Sequence, residues 1–459
     1  MIMEEFYRME QLYMKSKELI KKLFSNKNAN IVMGVVALSA LVVAMCFIFS
    51  QGKDSGANSY PSAITTGIAA EITDEVTSTE KLTEEETETE TETTIEETTR
   101  ENPTTEAQIT EASTTVPLPA QPATIPDGDY SYIQPVTPTD GIVTMAFVGD
   151  INLSEKIENY YNTSGLSGFL SVNLQNIFLN SSIFGINHEY VSSDAGDEHK
   201  VDYELWYYKN PTSRQYILNE MGVDVVTLAN NHTLDYGEEG LIDTMNSLKA
   251  RGIAYVGVGN NLNEAKGAYI KEVNGKKIAI LAANRVVPRV DWYAYENKPG
   301  QMTTYESTDR FGMIKEEITR LKTVENCDVV VVMVHFGENN VPEVQGYQYN
   351  VAHGYVDAGA DIIVGCHTHT LQGAEIYNGK YIFYGVSNFL FENYQVDSVV
   401  VQAALNEANE LTVKLVPCIS KNYQTWDVSG NEAKRIFREI EALSTNISIS
   451  DEGVVGIRN

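Results

Sequence analysis

From Gly141 onward this 459-residue sequence predicts an α/β domain with a buried, partly parallel sheet. Three observations carry the prediction. Short apolar runs recur: IVTMAFVG, VDVVTLA, KKIAILAA, CDVVVVMVH, ADIIVG and KYIFYGVSNFLF. Stretches with helical spacing lie between them, as at 238–251 and 311–323. Polar residues capable of chemistry stand directly after the runs. Runs of about 4–8 apolar residues have strand length, and their alternation with helices marks a sheet covered on both faces.

The elements before that domain follow from charge and composition. Residues 1–30 form a cytoplasmic segment containing Lys15, Lys17, Lys21, Lys22 and Lys27. Residues 31–50, IVMGVVALSALVVAMCFIFS, hold no charge. About 20 apolar residues cross a hydrocarbon core of about 30 Å. Positive charge before a span marks its cytoplasmic side. The expectation is a single-pass cell-membrane protein, N-terminus inside and main domain extracellular. A cleaved signal peptide is the alternative, but the run exceeds an h-region of about 7–15 residues and no A-x-A site follows.

Residues 51–140 are rich in Thr, Glu and Pro, with 19 acidic side chains against three basic. Such a segment buries too little apolar surface to offset its ordering entropy, and its like charges extend it. It reads as a disordered extracellular stalk; an acidic tail for a cation or a basic partner is the alternative. Residues 141–420 hold the α/β domain. Residues 421–459 read as a C-terminal extension with a helical stretch, NEAKRIFREIEALS.

The net charge is −30, about half of it in the stalk. Nucleic acid is excluded as a partner, because phosphate binding needs basic residues in excess. Four cysteines, Cys46, Cys327, Cys366 and Cys418, form no C-x-x-C pair, which excludes zinc ribbons and disulfide scaffolds. Cys366 reads as a small strand-end residue and Cys327 as a buried one.

The candidate chemistry sits at the ends of the apolar runs. Asp150 and Asn152 follow MAFVG; Asn187 and Glu189 follow SIFGI. Asn230, Asn231, His232 and Asp235 follow VVTLA. His335 follows VVVVMV, His367 and His369 follow DIIVG, and Asn388 follows FYGVS. In α/β folds the carboxyl ends of strands line one crevice. The set offers oxygen and nitrogen donors, suited to Mn, Fe, Zn or Mg. An extended His367-x-His369 would put both rings on one face. His188, His199 and His353 read as core or rim residues, and the glycines of GVGN (257–260) as a turn.

In order and spacing, GDINL (149–153), NHE (187–189), ANNHTLDYGEEGL (229–241), GVGNNLNEA (257–265), VHFGEN (334–339), AGADIIVGCHTHTLQ (358–372) and SNFLF (387–391) resemble the CapA family. These are poly-γ-glutamate capsule proteins, similar to calcineurin-like metallophosphoesterases. The resemblance covers 141 to about 420. It implies a four-layer αββα sandwich with a dimetal-type pocket at the strand ends. It places Asp150 as the first metal aspartate, Glu189 as the bridging carboxylate, and Asn231 as the amide ligand. His335, His367 and His369 match the imidazole ligands and His232 the catalytic histidine. Asp235 orients His232 or meets substrate. Asn152, Asn187, Asn230, Arg285 and Asn388 are expected to bind substrate, Arg285 from the loop NRVVPR.

The sequence departs from the pattern in four places. Asp150-x-Asn152 stands for Asp-x-His. In His335-Phe336-Gly337-Glu338 the Glu falls one place early. Cys366 and Thr368 interrupt the usual Gly-His-His-Pro-His, and Ser387 replaces the usual Gly. The expected function is synthesis, export or anchoring of a poly-γ-glutamate-type polymer with a divalent-metal hydrolase or transferase pocket. A non-catalytic scaffold and a wall-associated metallophosphoesterase are the alternatives. The expected partners are an anionic polymer or phosphorylated substrate and other membrane capsule-synthesis proteins.

Overall fold

The computed structural model describes residues 141–458 except 198, 199, 202–206 and 392. The expected cytoplasmic segment, span and stalk, and also His199, lie outside the described residues. Among the described residues no helix is long and apolar enough to cross a membrane.

Two mixed sheets form the centre. The first runs in the order Gln424–Asp427, Leu411–Lys421, Val396–Leu405, Val143–Ile151, Ile183–His188, Val225–Thr227, Ala254–Val256. Asn388–Leu390 adds to it beside the end of Val143–Ile151. The second runs Ala374–Tyr377, Lys380–Phe383, Ile362–Cys366, Val329–His335, Lys276–Asn284, Tyr269–Val273. Four neighbouring strands in each sheet are parallel, from Val143–Ile151 to Ala254–Val256 and from Lys276–Asn284 to Lys380–Phe383. Asn388–Leu390 is also parallel to Val143–Ile151, and the other pairs of these two sheets are antiparallel.

Side-chain alternation along each strand sorts residues into layers. Met145, Phe147, Ile280, Val331, Met333 and Val364 share the core between the sheets. Ala146, Val148, Phe184 and Val226 turn the other way, onto Leu174, Phe178, Leu241 and Leu248 of the helices Val172–Leu179 and Gly237–Ala250. Leu281, Val330, Val332 and Ile363 do the same against Ile314, Ile318, Val351 and Tyr355 of Asp309–Thr323 and Gly346–Ala358. Both faces of each parallel region are therefore buried. This is why the central runs are continuously apolar rather than alternating.

One irregularity aims the chemistry. Met145 and Phe147 face the inter-sheet core, while Ala146, Val148 and Ile151 face the helices. Parity must therefore change between Val148 and Ile151. The pairing register shifts at that point, against both Ile183–His188 and Asn388–Leu390. A bulge of this kind re-aims a side chain. It turns Asp150 toward the second sheet.

The apolar run KYIFYGVSNFLF supplies two strands. Lys380–Phe383 belongs to the second sheet and Asn388–Leu390 to the first. The chain crosses between sheets at Tyr384–Ser387, and Ser387 takes φ 68°, where the family pattern has Gly. Beyond 420 the chain stays packed on the same two sheets. Gln424–Asp427 pairs with Leu411–Lys421, and Ile436, Phe437, Ile440 and Ile447 enter the inter-sheet core. Residues 421–458 thus complete the first sheet and its core rather than extend from it.

Gly149 occupies the bulge. A Cβ there would lie 1.9 Å from the Ser387 carbonyl oxygen. Gly149→Ala must push the two strands apart, at a cost of about 1–3 kcal/mol or more. Thermal unfolding of the variant should show a clear drop in Tm; an unchanged Tm would mean that this approach is not tight.

Candidate metal centre

The parallel strands of both sheets end at one place, and Asp150, Glu189, His335, His367 and His369 meet there. Asp150, Glu189 and His335 form one group whose ligand atoms lie within 4.8 Å of one another; Glu189, His367 and His369 form another with the same spread. Glu189 belongs to both. Asp150 and Glu189 are fully buried. Buried carboxylates are costly unless charge or hydrogen bonds compensate them.

Asp150 is well compensated. It accepts from Asn187 Nδ2 at 2.7 Å and from the His367 backbone N–H at 3.3 Å, and lies 3.3 Å from His369 Nδ1. Burial alone would raise its pKa. The hydrogen bond and charge of His369, with Asn187 and His367, outweigh burial and hold the carboxyl below its ordinary value.

The imidazoles are held in defined roles. Burial, reinforced by the neighbouring histidines, pushes His335 well below its ordinary pKa. Burial and the charge of His369 bring His367 down to about 3. Both rings are thus neutral near pH 7 and keep a lone pair for coordination. His367 Nδ1 is buried and has no hydrogen-bond partner among the described residues. His369 Nδ1 faces the Asn388 carbonyl oxygen at 2.7 Å, which makes Nδ1 the donor. His335 Nε2 lies 2.7 Å from Asn231 Oδ1.

His367 and His369 reach the group by a route other than the extended one expected. The strand ends at Cys366, and both histidines adopt positive φ, 98° and 54°. Such backbone costs of order 1–3 kcal/mol per residue and persists only where the surroundings enforce it. Here Gly337, at φ 102°, packs against Thr368 between them; a Cβ at Gly337 would lie 2.3 Å from Thr368 Cγ2.

His232 stands at the rim. Its Nδ1 lies 2.9 Å from Asp235 Oδ2, so the carboxylate fixes the tautomer and leaves Nε2 as the other ring nitrogen. Asp235 also accepts from the Tyr208 backbone N–H at 2.9 Å and is fully buried. It is a positioning residue. Above the group opens a cleft of about 370 Å³, lined by Tyr208, Asn231, His232, Arg285, Tyr305, Asn339, His367 and His369 with Val286, Val287 and Pro288. A larger depression of about 440 Å³, at Lys315, Thr319 and Asp357, has no convergent donor set.

Of the five expected substrate contacts, only Arg285 lines the cleft. Asn152 is engaged by Asn210, whose Nδ2 donates to its Oδ1 at 2.8 Å. Asn187 is fully buried and donates to Asp150, Glu189 and His335 Nδ1 at 2.7, 3.2 and 3.3 Å. Asn230 bridges Asn187 Oδ1 and the His188 carbonyl, and accepts from the His232 backbone N–H. Asn388 serves His369. The described hydrogen bonds of these four amides run within the protein, as expected of short polar side chains at buried strand ends. Tyr208, Tyr305 and Tyr347 were not expected near the site. Tyr208 and Tyr305 come from loops, and Tyr347 from the first turn of the helix Gly346–Ala358, none of them directly after an apolar run.

The other described histidines, His188 and His353, are held by packing and hydrogen bonds away from this group. His188 stacks on Tyr190 and contacts Gln215; His353 stacks on Tyr377 and pairs with Glu375. Cys327, Cys366 and Cys418 are buried free thiols.

Residues 144–393 match the family model described as bacterial capsule synthesis protein PGA_cap. The chain is 30% identical over 307 residues to the capsule biosynthesis protein CapA of Bacillus anthracis, covering 65% of this chain and 72% of that protein. It is 31% identical over 275 residues to the PGA biosynthesis protein CapA of Bacillus subtilis, covering 59% and 70%. A probable polyglutamine synthesis accessory protein of Mycobacterium tuberculosis is 32% identical over 165 residues, 35% of this chain and 43% of that one. Among solved structures, TT1561 of Thermus thermophilus aligns over 60% of this chain and 98% of its own at 10% identity, with a TM-score of 0.34, too slight a likeness to carry weight.

Burial holds His188 down to about 3. In the unfolded chain it protonates near 6.5, so below that pH the unfolded state binds an extra proton. Stability is therefore full above about 6.5 and falls as pH drops toward about 3. At pH of about 5 the loss is about 2 kcal/mol for this residue. In chemical denaturation, His188→Gln should shrink the stability difference between about pH 7 and about pH 5 by that amount; an unchanged difference would refute a neutral buried His188.

Proposed function

The chain belongs to the bacterial capsule synthesis protein PGA_cap family, and from that premise we propose a membrane-anchored, extracellular protein whose metal pocket works on a poly-γ-glutamate-type polymer. The observation that carries the proposal is the sharing of fully buried Glu189 between two potential ligand groups. A donor set of carboxylate and imidazole fits divalent Mn, Zn, Fe or Mg. Asp150, Glu189 and His335 would hold one ion and Glu189, His367 and His369 a second, with the Asn231 carbonyl oxygen close to the first. Bound there, the ions would supply Lewis-acid polarisation of an acyl or phosphoryl oxygen.

The remaining work falls to the chain's own residues. His232 faces the cleft with Nδ1 held by Asp235. It acts as the general acid, passing a proton from Nε2 to the leaving group. Asp235 keeps the ring oriented and supports its protonated form. Asn187, Asn230 and Asn388 hold the carboxylates, the turn and His369 in register. The layering of two sheets between helices supports the metallophosphoesterase-like reading of the fold. The uncharged run at 31–50 and the acidic stretch at 51–140 support the anchor and the stalk. Other membrane proteins of polymer synthesis are the proposed partners.

Purified full chain should retain Mn, Zn or Fe at neutral pH, and added metal should raise its Tm. Asp150→Ala should abolish both effects. A chain that retains no metal and whose Tm ignores added metal would end the metal reading.

The enzyme and scaffold readings separate in cells. His232→Ala should lower polymer formation about 10²–10⁴-fold through the lost general acid, with metal content unchanged. Normal surface polymer in His232→Ala cells, with none in a deletion strain, would favour a scaffold.

A further inference from the structure

Among the described residues, Arg285 is the only Lys or Arg lining the cleft. Its backbone N–H donates to the His335 carbonyl oxygen at 2.8 Å, which ties it to a strand end of the metal centre. Its guanidinium lies 4.0 Å from the Tyr305 ring centroid and 4.7 Å from that of Tyr347. Both tyrosines are themselves pinned. Tyr347 OH accepts from the Gly337 backbone N–H at 2.9 Å, and Tyr305 OH from that of Val287 at 3.2 Å. Arg285 Nε donates to Glu306 Oε2 at 3.1 Å. The two Nη atoms make no hydrogen bond among the described residues.

The result is a planar cation clamped on its faces and anchored at Nε. A guanidinium fork held this way binds an oxyanion with little further loss of rotamer freedom. Glu306 already balances the charge of Arg285. A singly charged carboxylate therefore suits the site better than a dianionic phosphate, which would meet Glu306 with twice the repulsion. Val286, Val287 and Pro288 add an apolar wall beside the cation. Carboxylate and methylene groups together describe a glutamyl unit.

Resting on the reading of the metal pocket given above, we propose that Arg285 seats one free carboxylate of a γ-linked glutamyl chain. It thereby sets which bond of the chain lies against the His367 and His369 side of the cleft. Arg285 is a binding and specificity residue, not a metal ligand.

The test is calorimetric titration of the full, metal-loaded chain with γ-glutamylglutamate. Arg285→Lys keeps the charge but loses the fork, and should weaken binding by roughly tenfold or more with metal content unchanged. Glutarate should compete in the wild type; glutaramide, its neutral analogue, should not. Equal affinity in Arg285→Lys, or equal competition by glutaramide, would overturn the proposal. So would inorganic phosphate outcompeting glutarate, since the site would then be a phosphate seat. The wild-type competitions decide the matter if the variant does not fold. Arg285-dependent binding in a chain that holds no metal would sink the metal reading and leave this one. Normal metal content with Arg285-independent binding would do the reverse.

Discussion

Two carboxylates withdrawn from water set the terms for the rest of the structure. Asp150 and Glu189 sit at the ends of neighbouring strands with no solvent exposure, faced by imidazoles from the opposite sheet. An uncompensated pair of buried anions would cost more than a domain's typical net stability of about 5–15 kcal/mol. Much of the surrounding detail serves that compensation. The bulge at Asp150 aims one carboxylate inward, Asn187 bridges the two, and His367 gives its backbone N–H to Asp150.

The same constraint explains why strain gathers where it does. His367, His369 and Ser387 all take positive φ within the loops that close over this group. Two of them are donors to the site, and the third is where the chain passes from one sheet to the other. Backbone of this kind survives when the rest of the fold over-determines it. Gly149 against Ser387 and Gly337 against Thr368 are the close approaches that do so.

Much of this was legible in the sequence because a buried parallel strand leaves a plain signal. VVVVMV followed by His335 and DIIVG followed by the spaced histidines named both the strand and its functional end. Four things were hidden, each for a physical reason. A single apolar run cannot say that it changes sheets, as KYIFYGVSNFLF does. Period-two reasoning fails outside a strand, so the route by which His367 and His369 converge was missed. Residue type does not reveal hydrogen-bond partners, so Asn152, Asn187, Asn230 and Asn388 read as substrate contacts although they are bonded within the protein. The helix Gly430–Ala442 carries an apolar face at Ala433, Ile436, Phe437 and Ile440, but helical spacing marks a buried face without saying that it enters the inter-sheet core.

In the proposed pocket Glu189 lies between two cation positions. Anomalous diffraction from crystals grown with Mn²⁺, recorded either side of the metal edge, tests it most directly. Difference peaks are expected beside Glu189, one toward Asp150 and His335 and one toward His367 and His369. Crystals rich in manganese with peaks only on the acidic surface, and none beside Glu189, would contradict it.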